Sequence, residues 1–165
     1  MKKSESQISD KEVLTKNIVF VDGITRVGKT MLCNVLAYIR NVTPSQMIEP
    51  LEQLLPMYAT GHIDRNAVSA FLRIYLNKQF YNFKLSRDVN FRYDDLTSVH
   101  NSYRTKELFQ NLHKADGDAV IDELRNDADI FQFMTHDLMT HYSFFKDLNI
   151  DVKVLDLMRQ PPYSV

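Results

Sequence analysis

Gly23-Ile24-Thr25-Arg26-Val27-Gly28-Lys29-Thr30 satisfies the pattern G-x-x-x-x-G-K-[ST] without a mismatch. Two glycines enclosing four residues let a loop turn successive backbone N–H groups inward as a cradle for an anion. The positive end of a following helix points at the same spot. Lys29 adds a mobile cation, and Thr30 a hydroxyl that serves a phosphate or a metal. Arg26 is a second cation inside the loop, and guanidinium favours bidentate pairing with oxyanions. The whole run from Gly23 to Met31 is therefore a candidate nucleotide-binding segment, Gly23, Ile24, Thr25, Arg26, Val27, Gly28, Lys29, Thr30 and Met31 being its contact residues. The competing reading is an ordinary glycine-rich turn between a strand and a helix.

Two distant residues could share that chemistry. His136 follows an apolar run in Met-Thr-His-Asp, and an imidazole titrating near neutrality can act as a general base. The bland alternative is a helix start, with Thr135 as cap and Asp137 in the first turn. His141 lies five positions on, off the i+4 spacing of a helical metal pair. His62, His100 and His113 have no partners legible in sequence. Arg159 precedes Gln160-Pro161-Pro162, where the prolines end a strand and present the arginine at its tip. Asp22 and Asp156 are the carboxylates available to hold magnesium, Asp156 reading as internal to its strand.

The elements that must position these groups follow from periodicity. Residues 1–16 form a flexible polar lead-in, with a helical turn expected at 10–14. An apolar β-prone run spans 17–22. A helix opens at Gly28 and runs to Arg40, its inward face Met31, Leu32, Val35, Leu36 and Ile39. Thr43-Pro44 reads as a cap and first turn of a further helix bearing Met47, Leu51, Leu54 and Leu55, bent or broken at Pro50 and Pro56. After Gly61, Asp64 caps a helix carrying Val68, Phe71, Leu72, Tyr75 and Phe80. Residues 85–101 have no period and form a long connection, the natural cover for an acceptor. Helices are expected from Ser102 and over 120–124, a strand over 129–134, a helix over 137–148 and a strand over 152–158. This order predicts an α/β fold of three layers, α/β/α, with a parallel sheet over 17–165 and a helical insertion over 43–114. Ligands of such sheets sit at the carboxyl ends of the strands, so 22–30, 135–137 and 159–162 should converge.

Bulk properties exclude several classes. A net charge of −1 over 165 residues offers no basic field for nucleic acid or membrane surfaces. No apolar run approaches the roughly 20 residues that span a bilayer, and the start lacks a signal peptide's apolar core. The single Cys33 excludes an internal disulfide and reads as a small core residue. A cytoplasmic setting is the expectation.

Gly23-Ile-Thr-Arg26-Val-Gly28-Lys29-Thr30-Met-Leu32, Thr135-His136 and Arg159-Gln-Pro161 together resemble the P-loop sulfotransferase family. Its loop has the form G-x-x-R-[ST]-G-[TS]-[TS]-x-L, a later strand ends in Lys-[ST]-His, and a further one in Arg-x-Pro. The resemblance implies a P-loop NTPase-like fold and transfer of a sulfuryl group from 3′-phosphoadenosine 5′-phosphosulfate to an acceptor hydroxyl or amine. It implies Arg26 and Lys29 on the phosphosulfate, His136 as base, Arg159 on the 3′-phosphate, and no metal. Lys29 stands where the family has Thr or Ser, and Met134 replaces the lysine before Thr135. The family's serine after the arginine would fall past Val165, so the chain reads as the N-terminal portion of a longer protein. Two other readings stay open: a kinase using Mg-ATP, with Lys29 on the β/γ-phosphates, and a binding module whose loop does no chemistry. The expected partners are the nucleotide donor and an acceptor that the sequence does not name.

Overall fold

A computed structural model describes residues 12–136 and 138–160. Strand β1 (Ile18–Asp22) is followed by helix α1 (Lys29–Leu36), strand β2 (Gln46–Met47), and helices α2 (Glu49–Ala59) and α3 (Arg65–Lys84). Helices α4 (Thr105–Asn111) and α5 (Asp118–Arg125) lead to β3 (Phe131–Met134), then α6 (Tyr142–Asp147) and β4 (Lys153–Asp156). The four strands form one parallel sheet in the order β2-β3-β1-β4. The architecture is α/β, with helices packed on the sheet, and is compatible with three layers.

Strand alternation divides the core. Ile18 and Phe20 of β1 and Phe131 and Phe133 of β3 join a large apolar cluster with Leu72, Leu76, Phe80 and Phe83 of α3. Val21 and Met134 face the other way, against Cys33, with Leu32, Leu36 and Leu157 beside them. Buried Gln132 fastens the second face: its Nε2 donates to the carbonyls of Cys33 (3.0 Å) and Thr43 (2.6 Å). Burial pushes the Cys33 thiol up, although a side-chain hydrogen bond to Ser45 and the charge of Lys29 oppose it. Cys33 is thus a buried core residue.

Several expectations are corrected. The inner face of α1 is Leu32, Cys33 and Leu36; Met31 is 73% and Val35 60% exposed, and Ile39 is also exposed. The i, i+3/i+4 rule admitted either stripe, and packing against β1 and β3 selected the one with the cysteine. Thr43-Pro44 does not start a helix. Thr43 is buried and donates its N–H to the Ile130 carbonyl (3.0 Å), so the chain enters the sheet as β2. The run of helices α2 to α5 therefore begins after β2. Met47 is exposed, and Leu51 and Leu55 alone of that group are fully buried. Helix α2 is unbroken, with Pro50 in its first turn and Pro56 inside. Phe71 points outward from α3. Asp64 does cap α3, accepting from the Ala67 N–H at 2.9 Å. Residues 12–16 are not loose: the Leu14 N–H donates to Asn77 Oδ1 (2.8 Å), Thr15 is buried, and there is no helical turn at 12–14. The rest of the lead-in lies outside the described residues. Helix α4 starts at Thr105 rather than Ser102, and residues 138–141 form a 3-10 turn before α6. Asp137 lies outside the described residues.

Charge is buried at the amino end of β3. Asp129 accepts from Lys84 Nζ and Arg104 Nη2, both at 2.7 Å. Burial alone would raise the Asp129 pKa, but the hydrogen bonds and charges of Arg104 and Lys84 outweigh it and hold the carboxyl below its usual range. A depressed folded-state pKa stabilises the fold above the unfolded value near ~3.9 and loses that contribution as pH falls through the folded value. Asp129→Asn should lower Tm at neutral pH and flatten the acid limb of the stability curve below about pH 4. Equal losses at pH 7 and in strong acid would contradict this role.

Candidate functional site

The loop between β1 and α1 carries three residues of positive φ. Gly23 (φ 130°) and Gly28 (φ 109°) bracket it, and Arg26 is itself left-handed at φ 69°. A Cβ on Gly23 would stand 2.5 Å from the Leu157 carbonyl oxygen, so glycine is required there by contact as well as by φ. Gly28 is open on that side and is required by φ alone. It forms the amino cap of α1 with no side-chain hydrogen bond, and no acidic residue occupies the first turn. The first N–H groups of α1 therefore have no competing side-chain acceptor. A left-handed residue within such a loop also turns adjacent N–H groups to one side, the geometry of an anion nest.

Lys29 is buried and bends back over its own loop. Its Nζ donates to the carbonyls of Gly23 and Ile24, the latter at 2.9 Å. Arg26, Thr25, Ile24 and Met31 are exposed and Val27 is half-buried. The Thr30 hydroxyl lies 3.7 Å from Met134 Sδ at the end of β3. Thr30 also borders an open cavity of about 680 Å³ whose other walls are residues 92–97. Arg92 and Tyr93 on that wall are exposed. Sequence reasoning assigned this connection a covering role but singled out neither residue, because nothing in an aperiodic stretch marks which side chains face inward.

Asp22 anchors the loop. Fully buried, its Oδ1 accepts from the Thr135 hydroxyl (2.9 Å) and its Oδ2 from the Met139 N–H (2.8 Å). Its carbonyl accepts from the Leu157 N–H (3.0 Å). Thr135 is thus a strand-end tie and not a helix cap. Asp156 is the last residue of β4, in register with Asp22, and is exposed; the expectation of an internal position is corrected. Among the described residues no three His, Cys, Asp or Glu side chains converge as a metal site.

Parallel pairing puts the carboxyl ends of β1, β3 and β4 on one edge of the sheet, so the segments bearing Arg26, His136 and Arg159 share that edge. Arg159, three residues past β4, is exposed. His136 is half-buried, and its backbone N–H (2.8 Å) and Nδ1 (3.0 Å) both meet Glu52 Oε1 of α2. A carboxylate only accepts, so Nδ1 carries the proton, and in the neutral form of the ring the lone pair is on Nε2. The cavity that His136 lines, about 300 Å³, is walled by α2 and residues 138–141, with no loop residue among its walls. Glu52 went unnoticed in sequence because it lies 84 positions away. His62 meets Thr60 Oγ1 at 2.7 Å, and the His100 ring sits between Tyr93 and Phe109.

Comparison with family models, with characterised proteins and with solved structures returns no match. No helix of the described residues is long and apolar enough to cross a membrane.

Two substitutions test the loop. Asp22→Ala leaves the buried Thr135 hydroxyl and the Met139 N–H without acceptors, and should cost about 1–3 kcal/mol in chemical denaturation. Arg26→Gly relieves a left-handed residue, so Tm should hold or rise while affinity for inorganic pyrophosphate falls about tenfold. A fall in Tm with affinity retained would mean that Arg26 serves the fold.

Proposed function

We propose that this chain is a sulfotransferase-like transferase of P-loop type, built on a three-layer α/β/α domain. Arg26, Lys29 and the N–H groups of residues 24–30 bind the 5′-phosphosulfate of 3′-phosphoadenosine 5′-phosphosulfate, and Arg159 binds its 3′-phosphate. The acceptor oxygen attacks sulfur as the sulfur–oxygen bond to the phosphate breaks. The acceptor proton passes to His136 Nε2, and adenosine 3′,5′-bisphosphate leaves with the electron pair. Lys29 swings from the Gly23 and Ile24 carbonyls to the bridging oxygen, where charge develops.

The observation that carries this reading is the Glu52–His136 pair at the end of β3, next to the strand that opens the loop. A general base needs one ring nitrogen free and the other held, and this pair supplies both. Glu52 acts as a positioning residue. A magnesium-dependent kinase is the second reading, favoured by Lys29 itself. Against it, both carboxylate oxygens of Asp22 are buried and engaged, which leaves exposed Asp156 as the available strand-end acid.

Transfer from sulfur-labelled donor to a panel of hydroxyl and amine acceptors tests the proposal. His136→Gln should lower kcat by about 10²–10⁴ with donor KM nearly unchanged. Glu52→Gln should lower kcat less and shift the acid limb of its pH profile. Transfer of phosphate from Mg-ATP with no sulfuryl transfer would replace this reading with the kinase one.

A further inference from the structure

Strand β4 is an open edge of the sheet. It pairs with β1 on one side and, among the described residues, with no strand on the other. The Leu157 N–H donates to the Asp22 carbonyl (3.0 Å), so by the two-residue alternation of a strand the amide groups of Leu155 and Leu157 face β1. Those of Val154 and Asp156 therefore face outward, a row of donors and acceptors ready for another strand. Leu155 is in register with Val21, on the sheet face that holds Cys33. Helix α1 packs there against β1 and β3, and Leu155 is left 43% exposed. The opposite edge, β2, is only two residues long and offers little to pair.

Lys153-Val154-Leu155-Asp156 is complementary to a second copy of itself in one register. A two-fold axis perpendicular to the sheet makes two β4 strands antiparallel and sets residues of the same face opposite each other. Centred on Lys153 or on Asp156, the pairing puts like charges directly against one another, which is destabilising. Centred on Val154, it needs the outward groups of Val152, which is buried and whose carbonyl already accepts from the Tyr142 hydroxyl (3.2 Å). Centred on Leu155, it uses the free groups alone: Val154 and Asp156 exchange hydrogen bonds with Asp156 and Val154 of the copy. Leu155 then meets its own equivalent at the close, non-hydrogen-bonded position, and its exposed side chain is covered. Lys153 faces Leu157, its ammonium 3.6 Å from Asp151 of its own chain. Beyond the strand Asp151 comes level with Arg159 of the copy, opposite in charge, an exposed pair that sets register more than affinity. We propose that β4 is a homodimer interface, two copies pairing antiparallel about a two-fold axis at Leu155 and continuing one sheet through both chains. The glycine-bounded loops then lie at opposite ends of the shared sheet, and the interface stands whether or not the loop transfers a sulfuryl group.

Sedimentation velocity of the full chain over a concentration series should show a reversible rise to twice the mass of one chain. Leu155→Glu sets two carboxylates on the axis and should weaken that association about tenfold or more, with the circular dichroism spectrum of the monomer unchanged. Cysteine cross-linking reads the register and does not depend on that variant. Opposed non-hydrogen-bonded residues stand about 4.5 Å apart between Cα atoms, within the span of a disulfide. Under mild oxidation Leu155→Cys should therefore link to itself, and the wild-type chain, whose Cys33 is buried, should not. Lys153→Cys alone should stay unlinked but should join to Leu157→Cys when the two variants are mixed. A single-chain mass at every concentration, association undiminished in Leu155→Glu, or self-linking of Lys153→Cys as ready as that of Leu155→Cys would overturn the assignment.

Discussion

Everything at the candidate site hangs from the Asp22 carboxylate. It is the last residue of the central strand and the first before the glycine-bounded loop, and it is fully buried. Through Thr135 it fixes the end of β3, through the Met139 N–H the turn after it, and through its own carbonyl the continuation of β4. Three segments from distant parts of the chain are thereby held at one edge of the sheet. A buried acid with both oxygens satisfied is stable only while those partners stay in place, so loop geometry and strand-end geometry are one constraint.

Sheet topology sets what that edge offers a ligand. The chain leaves β1 through α1 for β2 on one side, and later crosses from β3 to β4 on the other. The connections thus diverge around the end of β1, the kind of crevice where open parallel sheets take ligands. The loop fills it with two left-handed glycines, a left-handed arginine and a helix end that no side chain caps. Lys29 in the meantime neutralises the loop's own carbonyls.

How much of this was legible in the sequence depended on whether the signal was local. The glycine pattern, the Asp64 cap and the apolar runs of β1, β3 and β4 are local, and all of these elements formed near their expected places. Strand β2 was missed because two residues carry no period, and its pairing with β3 is decided by tertiary contact. The stripe on α1 was misassigned because exposed Met31 and Val35 look as apolar as the buried side. Glu52 could not be found by spacing, since it acquires its role from a partner far along the chain. Convergence of Arg26, His136 and Arg159 was expected; their segments lie on one edge of the sheet, and His136 lines a cavity beside α2 that no loop residue borders.

The central claim is that the loop grips the phosphate groups of a bisphosphorylated adenosine without a metal. Calorimetric titration with adenosine 3′,5′-bisphosphate, with and without magnesium, measures this directly. The account predicts binding of equal affinity in both conditions. Tight binding of Mg-ATP together with no heat from the bisphosphate would contradict it.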